Sequence, residues 1–384
     1  MRIRPFQHPS SSSLAFGPGL AAQVGAQGPL KKAARILVVT DAGVKKAGVL
    51  DKILPSLGAR AVLIDEDTVP DGDVVHIDAL AARAKGLGVD AILAVGGGSV
   101  IDTAKCTAAV IAKGTAIASL AGMATIRTRL LPLVVVPTTA GTGSEATQFA
   151  VVMDRAAGSK RILMDLSLLP THTVLDPELT LGLPRAVTAA TGVDAITHAV
   201  EAIASRMANP IASALAVEAV RLLIVEGALA RSLAKPDDLQ ARGCALVAAN
   251  LAGQAISSAM LGACHAFAHA LGALKGVPHG VANGVFLVPV MKLNLEKAQG
   301  AYAQLGGALG AGPGDVAARA AFALHEVERV VHGIAGIPRT LSELGVTEAD
   351  IEALTKLTLA DADLETNPVA LDEAGVRQLL RATL

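Results

Sequence analysis

Four side chains in the second half of this 384-residue chain have the types and spacing that hold a metal ion. Asp194 and His198 lie four residues apart in an alanine-rich segment with a helical pattern, so both point the same way. His265 and His279 bracket the segment HAFAHALGALKGVPHG. One carboxylate and three imidazoles suit Fe²⁺ or Zn²⁺ and leave room for a substrate oxygen. A D-x-x-x-H pair alone is more often a contact on a helix surface, so the prediction depends on all four residues.

Two polar loops in the first half each follow a segment with the pattern of a buried strand. The loop GGGS at 96–99 opens a predicted helix, where glycine lets the backbone approach a phosphate and the helix start offers free N–H groups. The loop PTTAGTGSE at 137–145 is rich in small hydroxyl side chains. Either loop could also be a tight turn with helix caps. Two such loops at the carboxyl ends of strands indicate the crevice in which α/β folds bind ligands.

Asp41 ends an earlier predicted strand and is a candidate for contacting the ribose of a nucleotide. The ordinary dinucleotide fingerprint has G-x-G-x-x-G first and an acidic residue about 20 positions later. Here the glycine loop comes more than 50 residues after Asp41, so that fingerprint is absent. A carboxylate at this strand end would repel a 2′-phosphate and favour NAD(H). The alternative role of Asp41, as the N-cap of a helix, has equal support from its position.

Short apolar segments alternate with helical ones in the first half, which is the pattern of a parallel α/β sheet. The predicted strands are 35–40, 60–64, 89–95 and 130–136, with helices at 77–86 and 99–112. Beyond about Pro184, long helical segments take over, at 185–205, 209–233, 238–272 and 280–297. We therefore expect an α/β dinucleotide-binding domain with a parallel sheet over 1–183 and an all-α, metal-binding domain over 184–384.

Composition excludes several classes of protein. Hydrophobic residues make up 52% of the chain, yet no apolar run approaches 18 residues, so we predict no membrane-spanning helix. A net charge of −1 and the absence of tryptophan argue against nucleic-acid partners. The N-terminal segment MRIRPFQHPSSSS lacks the apolar core of a secretory signal. Three widely spaced cysteines suit a reducing compartment, and we expect a cytoplasmic protein.

Several blocks of sequence resemble the iron-containing (group III) alcohol dehydrogenases, a family that includes lactaldehyde reductase and 1,3-propanediol dehydrogenase. The blocks are GGGSVIDTAK, PTTAGTGSEAT, TGVDAITHAVEA and GACHAFAHALGALKGVPHGVANG, and the similarity covers nearly the whole chain from Phe16 onward. The resemblance implies the dehydroquinate synthase-like fold of that family, with the active site in the cleft between an α/β and a helical domain. It also implies a homo-oligomer, which we expect to be a dimer.

The resemblance assigns roles to individual residues. The ligands that it implies for an Fe²⁺ ion, with Zn²⁺ as the alternative, are Asp194, His198, His265 and His279. The residues that it implies for contact with NAD(H) are Asp41, Gly97, Gly98, Ser99, Thr138, Thr139, Thr142 and Lys160. His269 matches a histidine that lies near the metal without binding it. We expect this imidazole to pass protons between substrate and solvent, although support of a neighbouring side chain is an open alternative.

The expected reaction is hydride transfer between NAD(H) and a small aliphatic alcohol or aldehyde, with the metal as Lewis acid. A maleylacetate reductase-type enzyme is an alternative, which the complete ligand set disfavours. A metal-dependent lyase or synthase on the same fold is another, and it would need basic residues clustered for an acidic substrate. A nucleotide-binding protein without catalysis is the third alternative. Measuring NADH absorbance with short aldehydes, with and without added metal, distinguishes these alternatives.

Overall fold

The computed structural model describes residues 6–9 and 13–384. Part of the N-terminal segment considered above, residues 1–5 and 10–12, lies outside this description. The chain forms two compact units, one spanning Pro9–Gly182 and the other Leu183–Leu384 together with residues 6–8. We call them the sheet unit and the helical unit.

The sheet unit contains, within the described residues, a six-stranded sheet whose strands all run parallel. Its strand order is β1-β9-β6-β4-β2-β3. The strands are β1 (Leu14–Phe16), β2 (Ile36–Val39), β3 (Ala61–Asp65), β4 (Ala91–Gly96), β6 (Leu133–Pro137) and β9 (His172–Leu175). The prediction of a parallel sheet is confirmed, and the four predicted strands correspond to β2, β3, β4 and β6.

Helices cover both faces of this sheet, which explains why its strands are continuous apolar runs. The helices are α1 (Ala42–Lys46), α2 (Val49–Leu57), α3 (Val74–Gly86) and α4 (Gly98–Lys113). Alternate residues of a strand point to opposite faces. Leu93 of β4 accordingly belongs to the cluster that contains Ile53 of α2. Its neighbour Ile92 belongs to the cluster that contains Leu80 of α3 and Ile101 of α4.

A small second sheet in this unit was not predicted. It consists, within the described residues, of β5 (Gly122–Met123), β7 (Phe149–Asp154) and β8 (Ser159–Met164) in the order β5-β8-β7. β7 and β8 form an antiparallel hairpin, and burial alternates along β7. β7 is apolar from Phe149 to Met153, but β8 begins with Ser159, Lys160 and Arg161. The hairpin therefore offers a single apolar run and lacks the alternation of strands and helices that revealed the main sheet.

The helical unit contains no strand within its described residues, which confirms the predicted change of class. Its α-helices are α5 (Arg185–Ala204), α6 (Pro210–Val220), α7 (Ala228–Ala234), α8 (Leu239–Ala259), α9 (Ala263–Lys275), α10 (His279–Ala308), α11 (Val316–Glu328), α12 (Ile351–Leu359) and α13 (Glu373–Thr383). α10 packs against α5, α9 and α11, and α8 packs against α5 and α6.

Two of the predicted helices are wrong as continuous elements. The segment 209–233 is interrupted by a π-helical stretch, Arg221–Val225. It is interrupted again at Gly227, which has a φ of 68° and directly precedes α7. The segment 238–272 is divided into α8 and α9, which meet at an angle of 105°. Met260 at this bend has a φ of 64°, which a side chain disfavours. The bend sets the direction in which α9 leaves.

Among the described residues, no single helix is long and apolar enough to cross a membrane. The bent pair of α8 and α9 reaches that length and composition only when both helices are counted together.

Candidate metal centre and nucleotide-binding loops

Three helices of the helical unit bring the four predicted metal ligands together. Asp194 and His198 lie one turn apart on α5, His265 lies in the first turn of α9, and His279 is the first residue of α10. The Asp194 Oδ1 atom is 3.8 Å from Nε2 of His198, 3.8 Å from Nε2 of His265 and 3.5 Å from Nε2 of His279. Four ligands at about 2.1 Å from a tetrahedral ion would lie roughly 3.4 Å apart. The donor set and its spacing therefore fit Fe²⁺ or Zn²⁺.

A buried glutamate holds one of these imidazoles. Glu201, also on α5, places Oε2 at 2.5 Å from Nδ1 of His265, and its Oε1 accepts a hydrogen bond from the Cys264 backbone N–H at 2.7 Å. The contact at Nδ1 directs Nε2 of His265 towards Asp194. Burial raises the pKa of Glu201 to about 7. Burial, with His198 and His269 nearby, lowers the pKa of His265 well below its usual value, so this imidazole is neutral, as metal binding requires.

Asn283 on α10 is the second supporting residue that sequence reasoning missed. Its side chain is fully buried, and Nδ2 donates a hydrogen bond to Asp194 Oδ1 at 2.8 Å. The same nitrogen lies 3.1 Å from Nε2 of His265 and 3.2 Å from Nε2 of His279. Spacing offered a signal, because Asn283 follows His279 by four residues and Glu201 follows Asp194 by seven, which places each on the ligand-bearing face of its helix.

The two predicted nucleotide loops start side by side in the sheet unit. The last residues of β4 and β6 are paired in register, so the glycine loop and the threonine loop leave adjacent strand ends. A Cβ atom on Gly98 would lie 2.9 Å from Cγ2 of Thr142, and one on Gly97 would lie 3.3 Å from Oγ1 of Thr139. The absence of side chains at these two glycines therefore permits the close approach of the loops.

Asp41 follows β2, where the order in which successive strands join the sheet reverses. After β2 the chain proceeds to β3 on one side and then to β4 on the other. The carboxyl ends of β2 and β4 thus flank a topological switch point, the usual ligand crevice of α/β sheets. Oδ1 of Asp41 accepts a hydrogen bond from the Val44 backbone N–H at 2.8 Å and caps α1. The capping alternative is therefore realised, and because it uses Oδ1 it is compatible with a ribose contact.

Two other predicted contacts, Ser99 and Lys160, meet at an aspartate that sequence reasoning missed. The backbone N–H of Asp71 donates to Ser99 Oγ at 3.0 Å, and its Oδ1 forms an ion pair with Lys160 Nζ at 3.3 Å. Asp71 has a φ of 62°, a conformation that glycine prefers. Thr138, the first threonine of its loop, donates its backbone N–H to the Gly96 carbonyl at 3.1 Å.

Both halves of the chain match models of one protein family. The iron-containing alcohol dehydrogenase model matches residues 11–177, and the C-terminal model of the Fe-containing alcohol dehydrogenase family matches residues 188–384. The chain belongs to the iron-containing alcohol dehydrogenase family. It is 34% identical to the 1,3-propanediol dehydrogenase of Citrobacter freundii, with 99% of each chain covered. It is 32% identical to the NAD-dependent methanol dehydrogenase of Bacillus methanolicus, with 96% of this chain and 97% of that protein covered.

The crystal structure of a 1,3-propanediol oxidoreductase has the same fold. It superposes with a TM-score of 0.93 at 34% identity, covering 99% of this chain and 100% of that one. The predicted fold is thereby confirmed, and the chain is an enzyme of the alcohol dehydrogenase type. The alternative of a nucleotide-binding protein without catalysis is set aside.

In this family member, His269 lies beside the four candidate ligands. Its ring stacks on that of His279 with centroids 5.3 Å apart. Its Nδ1 lies 2.8 Å from Oδ2 of Asp361 and 3.8 Å from Oδ2 of Asp363. Burial raises the pKa of Asp363 to about 7. The two aspartates lie about 90 residues from His269, at the start of a short 3-10 helix (Ala362–Thr366), so no helical spacing could have linked them to it.

Proposed function

We propose that this chain is a metal-dependent, NAD-linked alcohol dehydrogenase or aldehyde reductase for a small aliphatic substrate. In this proposal the domain at 1–183 binds NAD(H), and the domain at 184–384 binds Fe²⁺, with Zn²⁺ as the alternative. The observation that carries it is the convergence of one carboxylate oxygen and three imidazole nitrogens within 4.8 Å of one another. In a member of the iron-containing family, such a set suits a divalent ion that activates a substrate oxygen.

The bound metal would supply Lewis-acid polarisation of the substrate oxygen, and the nicotinamide would supply hydride exchange. Asp194, His198, His265 and His279 would hold the ion. Glu201 keeps His265 oriented by accepting its Nδ1–H, and the Asn283 amide restrains Asp194. These supporting contacts fix the ligand side chains before the ion binds.

His269 is proposed to move protons next to the metal centre. Asp361 fixes its Nδ1 as the protonated nitrogen, because a carboxylate oxygen at 2.8 Å is an acceptor. A side chain held in this way keeps one ring orientation during turnover. A proton gained or lost by the substrate hydroxyl can then pass through the Nε2 atom of this imidazole.

NAD(H) is proposed to bind at the glycine and threonine loops of the sheet unit. Support comes from the paired strand ends of β4 and β6, the close approach of the loops and the carboxylate of Asp41. The proposed contacts are Asp41, Gly97, Gly98, Ser99, Thr138, Thr139, Thr142 and Lys160. Short alcohols are proposed as substrates because the named relatives include a propanediol dehydrogenase and a methanol dehydrogenase. Those names favour a dehydrogenase over a lyase or a maleylacetate reductase-type enzyme.

The test is the absorbance of NADH at 340 nm with a panel of C2–C4 aldehydes. Protein is first stripped with a chelator and then assayed without metal, with Fe²⁺ and with Zn²⁺. We expect aldehyde-dependent loss of NADH only after metal is restored, and formation of NADH from the matching alcohol. Equal rates in stripped and restored protein, with chelation verified by elemental analysis, would contradict the proposal.

A further inference from the structure

Lys105 is a completely buried cation in α4, the helix that begins at the glycine loop. Its Nζ reaches four oxygens at the end of the threonine loop and in the residues just beyond it. It donates to the backbone carbonyls of Thr147 at 2.9 Å and Phe149 at 2.6 Å. It also lies 3.2 Å from Oγ of Ser144 and 3.1 Å from Oγ1 of Thr147. The ammonium thus connects one helix to a segment about 40 residues later in the chain.

Asp102 makes the same connection one helical turn earlier. Its Oδ1 accepts the hydroxyl of Ser144, and its Oδ2 accepts the Val151 backbone N–H at 2.9 Å. Lys105 Nζ lies 4.0 Å from Asp102 Oδ1, so the two charges also compensate each other. One face of α4 therefore binds both ends of the segment 144–151 through charged side chains.

A charge in this position is costly for the fold, since burying an ammonium opposes its solvation. Burial lowers the pKa of Lys105 to about 8. An apolar side chain could fill the same volume without that cost, and a buried ion pair is weak evidence of added stability. The contacts of Lys105 instead fix the position of two loops, because α4 begins at the glycine loop and Ser144 lies near the end of the threonine loop.

We propose that Lys105 is a positioning residue that fixes the threonine loop against the glycine loop and so sets the affinity for the nucleotide. The inference rests on the proposed function, in which these two loops bind NAD(H). Lys105 acts through Thr147, Phe149 and Ser144, and it does not touch the nucleotide. Its loss releases the segment after the threonine loop, and with it the Thr142 side chain that packs on Gly98.

The test is a titration of the metal-loaded enzyme with NADH, followed by fluorescence, for the unmodified protein and for Lys105→Met. Methionine has a similar length and removes every donor. We expect Kd for NADH to rise between about 10- and 100-fold, because small displacements of positioning groups have effects of that order. KM for NADH should rise more than kcat falls. Metal content should not change, because the candidate ligands belong to the helical unit. Lys113→Met, in the last turn of the same helix and exposed, is the matched control.

Chemical rescue distinguishes positioning from a general loss of packing. A cavity of about 550 Å³ borders Lys105, and ethylamine is small enough to test as a replacement for the ammonium group that Lys105→Ala removes. Ethylamine should restore NADH affinity to Lys105→Ala and leave Lys113→Ala unaffected. If the lysine variants do not fold, Ser144→Ala removes one partner of Lys105 and Asp102 and should weaken NADH binding in the same direction.

The outcomes separate this inference from the proposed function. An unmodified enzyme that binds no NADH contradicts the proposed function itself. An unmodified enzyme that binds NADH, with folded Lys105→Met or Ser144→Ala that binds it equally tightly, overturns the role of Lys105 alone. Weaker binding in Lys105→Ala together with unchanged binding in Lys105→Met also overturns it, since lost packing would then account for the loss.

Discussion

Asp194 is the residue on which the candidate metal centre converges. Its Oδ1 lies within 3.8 Å of Nε2 of each of the three histidines and accepts a hydrogen bond from Asn283. Because Nδ1 of His265 donates its hydrogen to Glu201, Nε2 of His265 faces the Asp194 oxygen with a lone pair, and facing lone pairs repel each other. The arrangement becomes favourable when a cation shares those lone pairs, so the residue geometry itself points to a metal.

The charge of Asp41 should determine the choice of nucleotide. Asp41→Asn keeps an oxygen that can cap α1 and removes the negative charge that would repel a 2′-phosphate. We expect the ratio of kcat/KM for NADH to kcat/KM for NADPH to fall by about tenfold or more, which corresponds to ~1.4 kcal/mol. Steady-state kinetics with both nucleotides measure this ratio. An unmodified enzyme that prefers NADPH would show that the role given to Asp41 is wrong.

Proton transfer by His269 predicts a variant that retains its metal and turns over slowly. His269→Ala removes an imidazole that Asp361 orients, and loss of general acid–base help typically lowers the rate about 10²–10⁴-fold. Added imidazole should restore part of the rate, because it can occupy the vacated space. If His269 only supports the ligands, metal affinity should fall roughly 10–100-fold instead, without rescue. Full metal content with unchanged kcat from pH 6 to 9 would exclude both roles.

At the scale of elements, the metal centre depends on how closely α10 approaches α5. Gly280, the second residue of α10, lies against α5 so tightly that a Cβ atom would be 2.0 Å from the Ala190 carbonyl oxygen. This contact places His279, at the start of α10, beside Asp194 on α5. The bend at Met260 has a comparable role, since it turns α9 so that His265 reaches the same oxygen.

Gly280→Ala should therefore disrupt the metal centre without changing any candidate ligand. The added methyl group clashes with backbone, so α10 must shift away from α5 and carry His279 with it. We expect the variant to lose most of its metal and about 2 kcal/mol or more of stability, the range seen for overpacked cores. The control is Gly300→Ala in the same helix, where nothing lies within 4 Å and alanine should stabilise by roughly 0.5–1 kcal/mol. Chelator competition and urea unfolding give the two readouts, and equal metal affinity in both variants would refute the packing argument.

The buried Lys105 of α4 should make stability depend on pH. Its pKa is about 8 in the folded protein and returns to 10.5 on unfolding. Between these values the unfolded chain holds a proton that the folded chain has released, so the unfolding free energy rises with pH. Three neighbouring groups also shift the pKa of Lys105, and all are present both in the unmodified protein and in Lys105→Met. They are Asp102, Glu145 and Cys106. Between pH 8 and a pH above 10, the unfolding free energy of the unmodified protein should rise by up to about 3 kcal/mol relative to that of Lys105→Met. Urea unfolding at several pH values tests this, and a constant difference would contradict it.

For the whole molecule, sequence predicted those features that local pattern determines. Buried parallel strands are continuous apolar runs, so β2, β3, β4 and β6 could be recognised, and so could the change to helices after Pro184. The four candidate ligands came together as expected because helical spacing and the family resemblance both single them out. The bend at Met260 could not be predicted, because an alanine-rich segment runs across it and tertiary packing imposes the strained backbone. Asp361 and Lys105 act across long separations in the chain, which local sequence does not encode.

The amount of metal bound per chain, determined by elemental analysis alongside turnover, decides whether these four side chains form a metal centre. We expect about one Fe²⁺ or Zn²⁺ per chain in the unmodified, reconstituted protein. His265→Ala and His279→Ala should retain their circular dichroism spectrum and bind little metal, with activity lost in proportion. A folded His279→Ala that keeps stoichiometric metal and near-normal turnover would contradict the account of a single metal centre built from these four side chains.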